Sequence, residues 1–485
     1  MKLHKLVLLA LGLTTVFGGA VSPSMAQDAP AKNVILLITD GAGINTWRAA
    51  SYYRHGALGH EVYDDFDVKV FMSTYPLNTS NTPTKTNDGS VTFNASELWD
   101  AAPSNEVFKG SLGNYPGYFK GYDYTRADYT DSAAAATALA TGQKTYNNAI
   151  NWSNNDTKLK HIGEYAVESG RSLGSISTVQ WTHATPAGFL SHNASRNEYS
   201  AMAQDIVNSG MASVVMGAGH PNFDKEGKPV EAKDDKAYRY VGGKDTWDKL
   251  KNGETDYVLI ETKEDFEKLA AGKFDLGNKT KLLGTVQNHL TTQFNRPGVA
   301  MGQPLENQPS LATMTKGALN VLSKNEKGFF LMVEGGAVDW AAHANNLPRL
   351  IEEQIDFNLA VEAVAEWVEA NSSWDETLII VTTDHGNGLL QGPDSNSNAY
   401  SDLINQGAGA LPLVRWHTDT HTRELVPLYA HGKGAEFFRD VAKKDAGLAA
   451  YHAAEENQIY VDNTDVFRAS LAAFGLKETP LAQGK

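Results

Sequence analysis

The stretch FFLMVEGGAVDWAAHANN, residues 329–346, changes its periodicity part-way along. Phe329–Val333 is apolar without interruption and short. That is the pattern of a strand buried on both faces of a parallel sheet. Glu334-Gly335-Gly336 ends the run, and the residues after it read as a helix. Five other runs have the same character: Asn33–Ile38, Ser175–Val179, Ala212–Met216, Leu378–Val381 and Val426–Ala430. Helical segments lie among them, namely His161–Ser169, Glu198–Asn208 and Pro348–Ala370. This alternation predicts an α/β fold, doubly wound, with a mainly parallel central sheet flanked by helices. Two stretches depart from it. Residues 76–124, rich in Asn, Gly, Tyr and Thr, are expected to form an elaborated loop or flap. Residues 221–310, dense in charge, are expected to form an inserted accessory subdomain within a single domain spanning 27–485.

The residues just beyond the strands carry the chemistry. NVILLI leads to Thr39-Asp40, FFLMV to Glu334, and LIIV to Thr382-Thr383-Asp384-His385. Open α/β sheets place ligands at the carboxyl edge, so three acids and a histidine there predict a carboxylate-rich metal centre. Asp339 and His343 are four apart, hence on one helix face and able to share a cation. RWHTDTHTRELVPLY adds a further histidine just before a strand, either His417 or His421. DYTDSAAAATALATG, residues 128–142, supplies a nucleophile. Its alanine run is a strong helix former, Thr130 or Asp131 can cap it, and Gly142 can end it. Ser132 then falls in the first turn, where unpaired N–H groups and the helix dipole favour an alkoxide or a phosphate. Acids, histidines and a serine in this combination suit a dinuclear hydrolase, with one cation activating the nucleophile and one holding the leaving oxygen.

The bulk properties narrow the class. The chain of 485 residues opens with Lys2 and Lys5, an apolar stretch from Leu6, and Ser24-Met25-Ala26. Residues 1–26 read as a secretory signal peptide cleaved after Ala26, because the apolar part is short for a membrane span. A periplasmic or secreted protein is therefore expected, with no membrane span. The formal charge of −15 becomes about −17 once the two leader lysines are removed, which disfavours nucleic acid as a partner. Cysteine is absent, so any metal must be held by histidine and carboxylate. His192, His220 and His431 are expected to be packing or surface residues.

The motifs LLITDGAG, TDSAAAATALATG, HATPAG followed by Arg196, MGAGHPNF, VEGGAVDWAAH, TTDHGNG and HTRELVP together resemble those of alkaline phosphatases. They run from Asp40 to His421, most of the mature chain. The resemblance implies a phosphate monoester hydrolase working through a phosphoserine, with two zinc ions and one magnesium ion per subunit. It implies one zinc on Asp339, His343 and His421, with His417 the alternative to His421. The second zinc would sit on Asp40, Asp384 and His385, with Ser132 completing its shell. The magnesium would sit on Asp40, Thr185 and Glu334. Arg196 would grip the phosphate, with Asp131, His183 and Trp340 around it. His183 and Trp340 depart from the enterobacterial pattern, which has an acid and a lysine there. Small phosphate monoesters are the expected substrates and a homodimer the expected assembly. Two rival readings remain: a phosphodiesterase of the same superfamily, and a non-enzymatic exported phosphate-binding protein. A sulfatase is disfavoured, since Ser132-Ala-Ala-Ala-Ala lacks the Pro and Arg of its modification motif.

Overall fold

The computed structural model describes residues 29–86, 89–298 and 301–479, so the expected signal peptide lies outside the described residues. In chain order the strands are β1 (Asn33–Thr39), β2 (Val68–Ser73), β3 (Pro103–Lys109), β4 (Asn114–Phe119), β5 (Ser172–Gln180), β6 (Val214–Ala218), β7 (Tyr257–Ile260) and β8 (Lys281–Thr285). They continue with β9 (Phe329–Gly335), β10 (Thr377–Thr382), β11 (Gly386–Asn387), β12 (His421–Thr422), β13 (Val426–Gly432), β14 (Lys443–Lys444) and β15 (Ile459–Asp462). Among the described residues, eleven of them form one sheet in the order β14-β15-β2-β13-β10-β1-β9-β5-β6-β8-β7. β13 pairs antiparallel with both β10 and β2, and β14 with β15, while the remaining pairings are parallel.

All six expected apolar runs are strands of this sheet, and their continuous apolarity has a visible cause. Along β1, Val34, Leu36 and Ile38 join the core on one face while Ile35 and Leu37 join the core on the other. Alternate side chains point to opposite faces, and both faces are covered. One face is covered by the helices Ser132–Thr141 and Thr464–Ala473, which pack together. The other is covered by Leu311–Leu322 and the 25-residue helix Leu347–Asn371. The charged segment 221–310 contributes β7 and β8 to the edge of the same sheet. Residues 76–124 carry the β3–β4 hairpin, a two-stranded unit outside it.

Ser132–Thr141 is buried along its whole length, and its small side chains let it sit close against the layer beneath. Asp131 is its cap, accepting from the Ala134 N–H at 2.9 Å, and Gly142 ends it at φ +70°. A Cβ at Gly142 would come within 2.6 Å of the Phe467 ring, so both the turn and the packing require glycine there. No helix among the described residues is long and apolar enough to cross a membrane.

Candidate active site

The order β9-β1-β10 sets three strand ends side by side, with Ile38 in register with both Glu334 and Thr382. Asp40, Glu334 and Asp384 therefore gather at one carboxyl edge, and all three are fully buried. The helix Ala337–His343 brings Asp339 and His343 alongside, Oδ2 to Nε2 at 3.4 Å. Gly41 permits the approach: its φ is +70°, and a Cβ there would lie 2.6 Å from Asp339 Oδ1. The small β11–β12 pair, in which Asn387 faces His421, ties the Asp384-His385 segment to the last histidine.

The three imidazoles are oriented alike. Nδ1 of His343 faces the Asp419 carbonyl at 2.7 Å, that of His421 the Thr130 carbonyl at 2.9 Å, and that of His385 the Gly386 carbonyl at 3.2 Å. A carbonyl only accepts, so each Nδ1 carries a proton and each Nε2 faces inward, offering a lone pair wherever the ring is neutral. His343 Nε2 and His421 Nε2 are 3.1 Å apart, and His421 Nε2 is 3.3 Å from Asp339 Oδ1. Two lone pairs at that distance repel unless a positive charge lies with them. His385 Nε2 is 3.1 Å from Asp384 Oδ2 and 3.6 Å from Asp40 Oδ1. Asp339-His343-His421 and Asp40-Asp339-His385 thus each converge tightly enough to hold one ion.

The charges demand the same. Both oxygens of Asp40, Asp384 Oδ2, Glu334 Oε1 and Thr185 Oγ1 are buried without a hydrogen-bond partner among the described residues. Burial, with repulsion from Asp384, Asp339 and Glu334, pushes Asp40 well above the usual carboxylate range. Burial likewise lifts Asp384 to about 6 and Glu334 to about 7, the latter against a hydrogen bond from the Ser177 hydroxyl. Asp339 is held well below its ordinary value; His343 and His421 overcome its burial. Buried carboxylates without partners are costly, and divalent cations remove that cost. Imidazole with carboxylate suits zinc, and carboxylate with a hydroxyl suits magnesium, so the residues fit both metals.

Ser132 stands at the helix start with Oγ 3.1 Å from His385 Nε2. Arg196 donates from Nη1 to Asp131 Oδ2 at 3.0 Å, and its Nη2 lies 3.5 Å from His183 Nε2. Ser132, Arg196, His183, Trp340, Phe294 and His421 line one cavity open to solvent.

Residues 111–455 match the family model described as alkaline phosphatase. The chain belongs to the alkaline phosphatase family. Alkaline phosphatase 4 of Bacillus subtilis is 35% identical over 373 residues, covering 64% of this chain and 73% of that protein. Alkaline phosphatase of Escherichia coli K12 is 28% identical over 484 residues, covering 93% and 88%. Among solved structures, alkaline phosphatase from the Antarctic bacterium TAB5 aligns with a TM-score of 0.60 at 24% identity, covering 93% of this chain and all of that one. A variant of it in which aspartate replaces a histidine is described with magnesium bound in its M3 site.

This phosphatase is therefore an enzyme acting on small phosphate substrates, and the binding-protein alternative falls. Of the residues expected at the site, Asp40, Asp339, His343, Asp384, His385, His421 and Ser132 meet in one cluster of converging donor atoms. Asp131, Arg196, His183 and Trp340 stand around the cavity beside it. Glu334 and Thr185 are buried near Asp40. His417 lies elsewhere: its Nε2 contacts the Ser395 hydroxyl at 2.7 Å and its ring leans on Tyr122. His220 pairs with Glu261 at 2.8 Å, and His431 stacks on Phe66.

Several supporting groups lie outside the residues that the sequence points to. Asn387 donates to Asp339 Oδ1 at 2.7 Å, Ser177 donates to Glu334, and Phe294 lines the cavity beside Trp340. Asn387 lies inside the motif TTDHGNG, where a signal existed. The carbonyls of Thr130 and Asp419 leave no trace in side-chain chemistry.

Proposed function

We propose that this phosphatase hydrolyses phosphate monoesters through a phosphoserine at Ser132, with two zinc ions and one magnesium ion assisting. The observation that carries the reading is Ser132 Oγ at a helix N-terminus, 3.1 Å from His385 Nε2, with Arg196 lining the same cavity. Asp339, His343 and His421 would hold one zinc; Asp40, Asp384 and His385, with Ser132, would hold the other. Asp40, Glu334 and Thr185 would hold magnesium. Bound, these ions neutralise the phosphate dianion and lower the pKa of hydroxyl groups near them.

The chain's own groups supply the rest. The Arg196 guanidinium offers two parallel N–H donors to two phosphoryl oxygens, a planar match that a lysine cannot make. Asp131 holds that fork from behind. Ser132 Oγ gives up its proton to solvent and attacks phosphorus in line as the ester oxygen departs and takes a proton from water to leave as the alcohol. The unpaired N–H groups of the Ser132 helix stabilise the charge near it. Water then cleaves the phosphoserine, regenerating the hydroxyl and releasing phosphate. Export through residues 1–26 and a homodimeric assembly belong to the same proposal.

Acid-quenching the enzyme during turnover of a monoester labelled at phosphorus tests it. Label on the peptide containing Ser132 is the expected result. Label on another residue, or hydrolysis of a diester faster than the matching monoester, overturns the proposal.

A further inference from the structure

Apart from the catalytic cluster, one group of side chains among the described residues converges as metal ligands do: His161, Glu164 and His192. We propose that these three bind a divalent transition-metal ion, zinc by the donor set, at a site separate from the catalytic centre and independent of how that centre works. His161 is the N-cap residue of the helix Ile162–Glu168 and is completely buried; its ring lies toward the Glu164 N–H as in a capping box, yet neither ring nitrogen makes a hydrogen bond of normal geometry among the described residues. Glu164 Oε2 lies 3.8 Å from His161 Nε2 and 3.3 Å from His192 Nε2, and the two rings are 5.1 Å apart. All the ligand atoms fall within 4.8 Å of one another.

Ordinary capping and packing account for part of this arrangement. Glu164 also accepts the His161 backbone N–H at 2.9 Å, a usual capping contact, and His192 Nε2 lies 3.0 Å from the Leu159 carbonyl. Those bonds explain Glu164 and His192. They do not explain His161. A neutral imidazole carries one N–H and one lone pair, and burying both without partners is unfavourable where an apolar side chain would fill the space without that loss. Burial holds this ring neutral, so its lone pair is available to a cation.

Two imidazoles and a carboxylate form a common zinc set with a fourth position to spare. On binding, the proton on His192 shifts from Nε2 to Nδ1, and the Leu159 carbonyl, 3.0 Å from that nitrogen, becomes a neighbouring oxygen for the ion. Glu164 is partly exposed, which opens a path from solvent. The ion would fasten the helix Ile162–Glu168 to the segment leading to Arg196. Asn193 and Ile150 already exchange backbone hydrogen bonds in that segment, and Arg196 N–H donates to the Asn148 carbonyl at 2.8 Å.

The test is zinc anomalous scattering from crystals of the full enzyme grown with excess zinc. A peak about 2.0–2.1 Å from both Nε2 atoms is expected. A map with peaks at the catalytic cluster and none here overturns the proposal. In solution, enzyme equilibrated with zinc and desalted is expected to retain about one equivalent more than His161→Leu, at unchanged kcat. Equal zinc content in a folded His161→Leu also overturns it. Where that variant does not fold, the map on the unaltered enzyme decides.

Discussion

Asp131 uses its two carboxylate oxygens for two different tasks: Oδ2 receives Arg196 Nη1 at 3.0 Å, while Oδ1 caps the Ser132 helix at the Ala134 N–H. One side chain thus sets the Arg196 fork and Ser132, the proposed phosphate grip and nucleophile, in a common frame. Replacing it by Asn removes the ion pair and keeps a cap; replacing it by Ala removes both. Because Arg196 loses its partner in either variant, the difference between them isolates the cap. Asp131→Ala is expected to be less stable than Asp131→Asn by about 1 kcal/mol in denaturant unfolding of the metal-loaded enzyme. Equal stabilities would show that the helix start does not depend on this carboxylate.

His421 and His417 are four residues apart and do different things. His421 meets Asp339 and His343, whereas His417 is enclosed by Ser395, Tyr122 and Tyr118. His421→Ala should lose a zinc equivalent and most turnover, on the order of 10³-fold. His417→Ala should keep its metal and lose about 1–3 kcal/mol of stability, since it empties a buried ring site and removes one of the two hydrogen bonds of the Ser395 hydroxyl, which still donates to the Gly392 carbonyl. Metal analysis alongside unfolding separates the two. The reverse pattern would transfer the ligand role to His417.

The legibility of the fold and the site in the sequence depends on where the information resides. The Asp339/His343 pair and the Ser132 cap are local, set by spacing along one helix. The six apolar strands are legible because both faces are buried. β2 (VKVFMS) and β8 (KLLGT) are not, for lysines interrupt or open them and β8 lies in a charged stretch. β13 is legible as a strand but not as an antiparallel one, since direction depends on the connection and leaves no mark on composition. The meeting of Arg196 with Asp131 spans 65 positions and comes only through family resemblance. His161 carries no signal at all, because a buried histidine resembles any other until its missing partners are seen.

Glu353, in the long helix, sets a pH dependence outside the catalytic centre. Burial and the nearby Asp356 push it up to about 8 from 4.5, against the pull of Arg296, and Oε1 has no hydrogen-bond partner among the described residues. Between those values the folded chain holds a proton that the unfolded chain has released. Raising the pH therefore favours unfolding across that window: the contribution is full below the unfolded value and is lost as pH climbs through about 8. Asp356, raised by burial to about 6, acts in the same direction at lower pH. Glu353→Gln should flatten the decline in unfolding midpoint between about pH 6 and about pH 9 and be the more stable protein at the upper end. A wild-type decline left intact in the variant would assign the effect to other groups.

His183 and Trp340 stand where the enterobacterial pattern has an acid and a lysine, and they face the cavity together, ring centres 6.0 Å apart. Burial and the Arg196 charge lower His183 to about 3, so it is a neutral ring at working pH. An aspartate there would add negative charge beside the proposed magnesium ligands, and His183→Asp should bind magnesium more tightly in a metal titration. Trp340 packs edge-on against Phe294 and brings no charge to the product phosphate, leaving Arg196 as the permanently charged cation among the side chains lining the cavity. Phosphate should accordingly leave readily, and where release limits turnover that raises kcat. Trp340→Lys places an ammonium in the same cavity. A second positive charge near a dianion is worth roughly 1 kcal/mol or more in a solvated cleft, so the phosphate inhibition constant should fall about 5- to 10-fold. Turnover at saturating monoester should fall with it if release is the slow step. An inhibition constant that stays the same or rises would show that residue 340 does not face bound phosphate, whatever its place in the cavity wall.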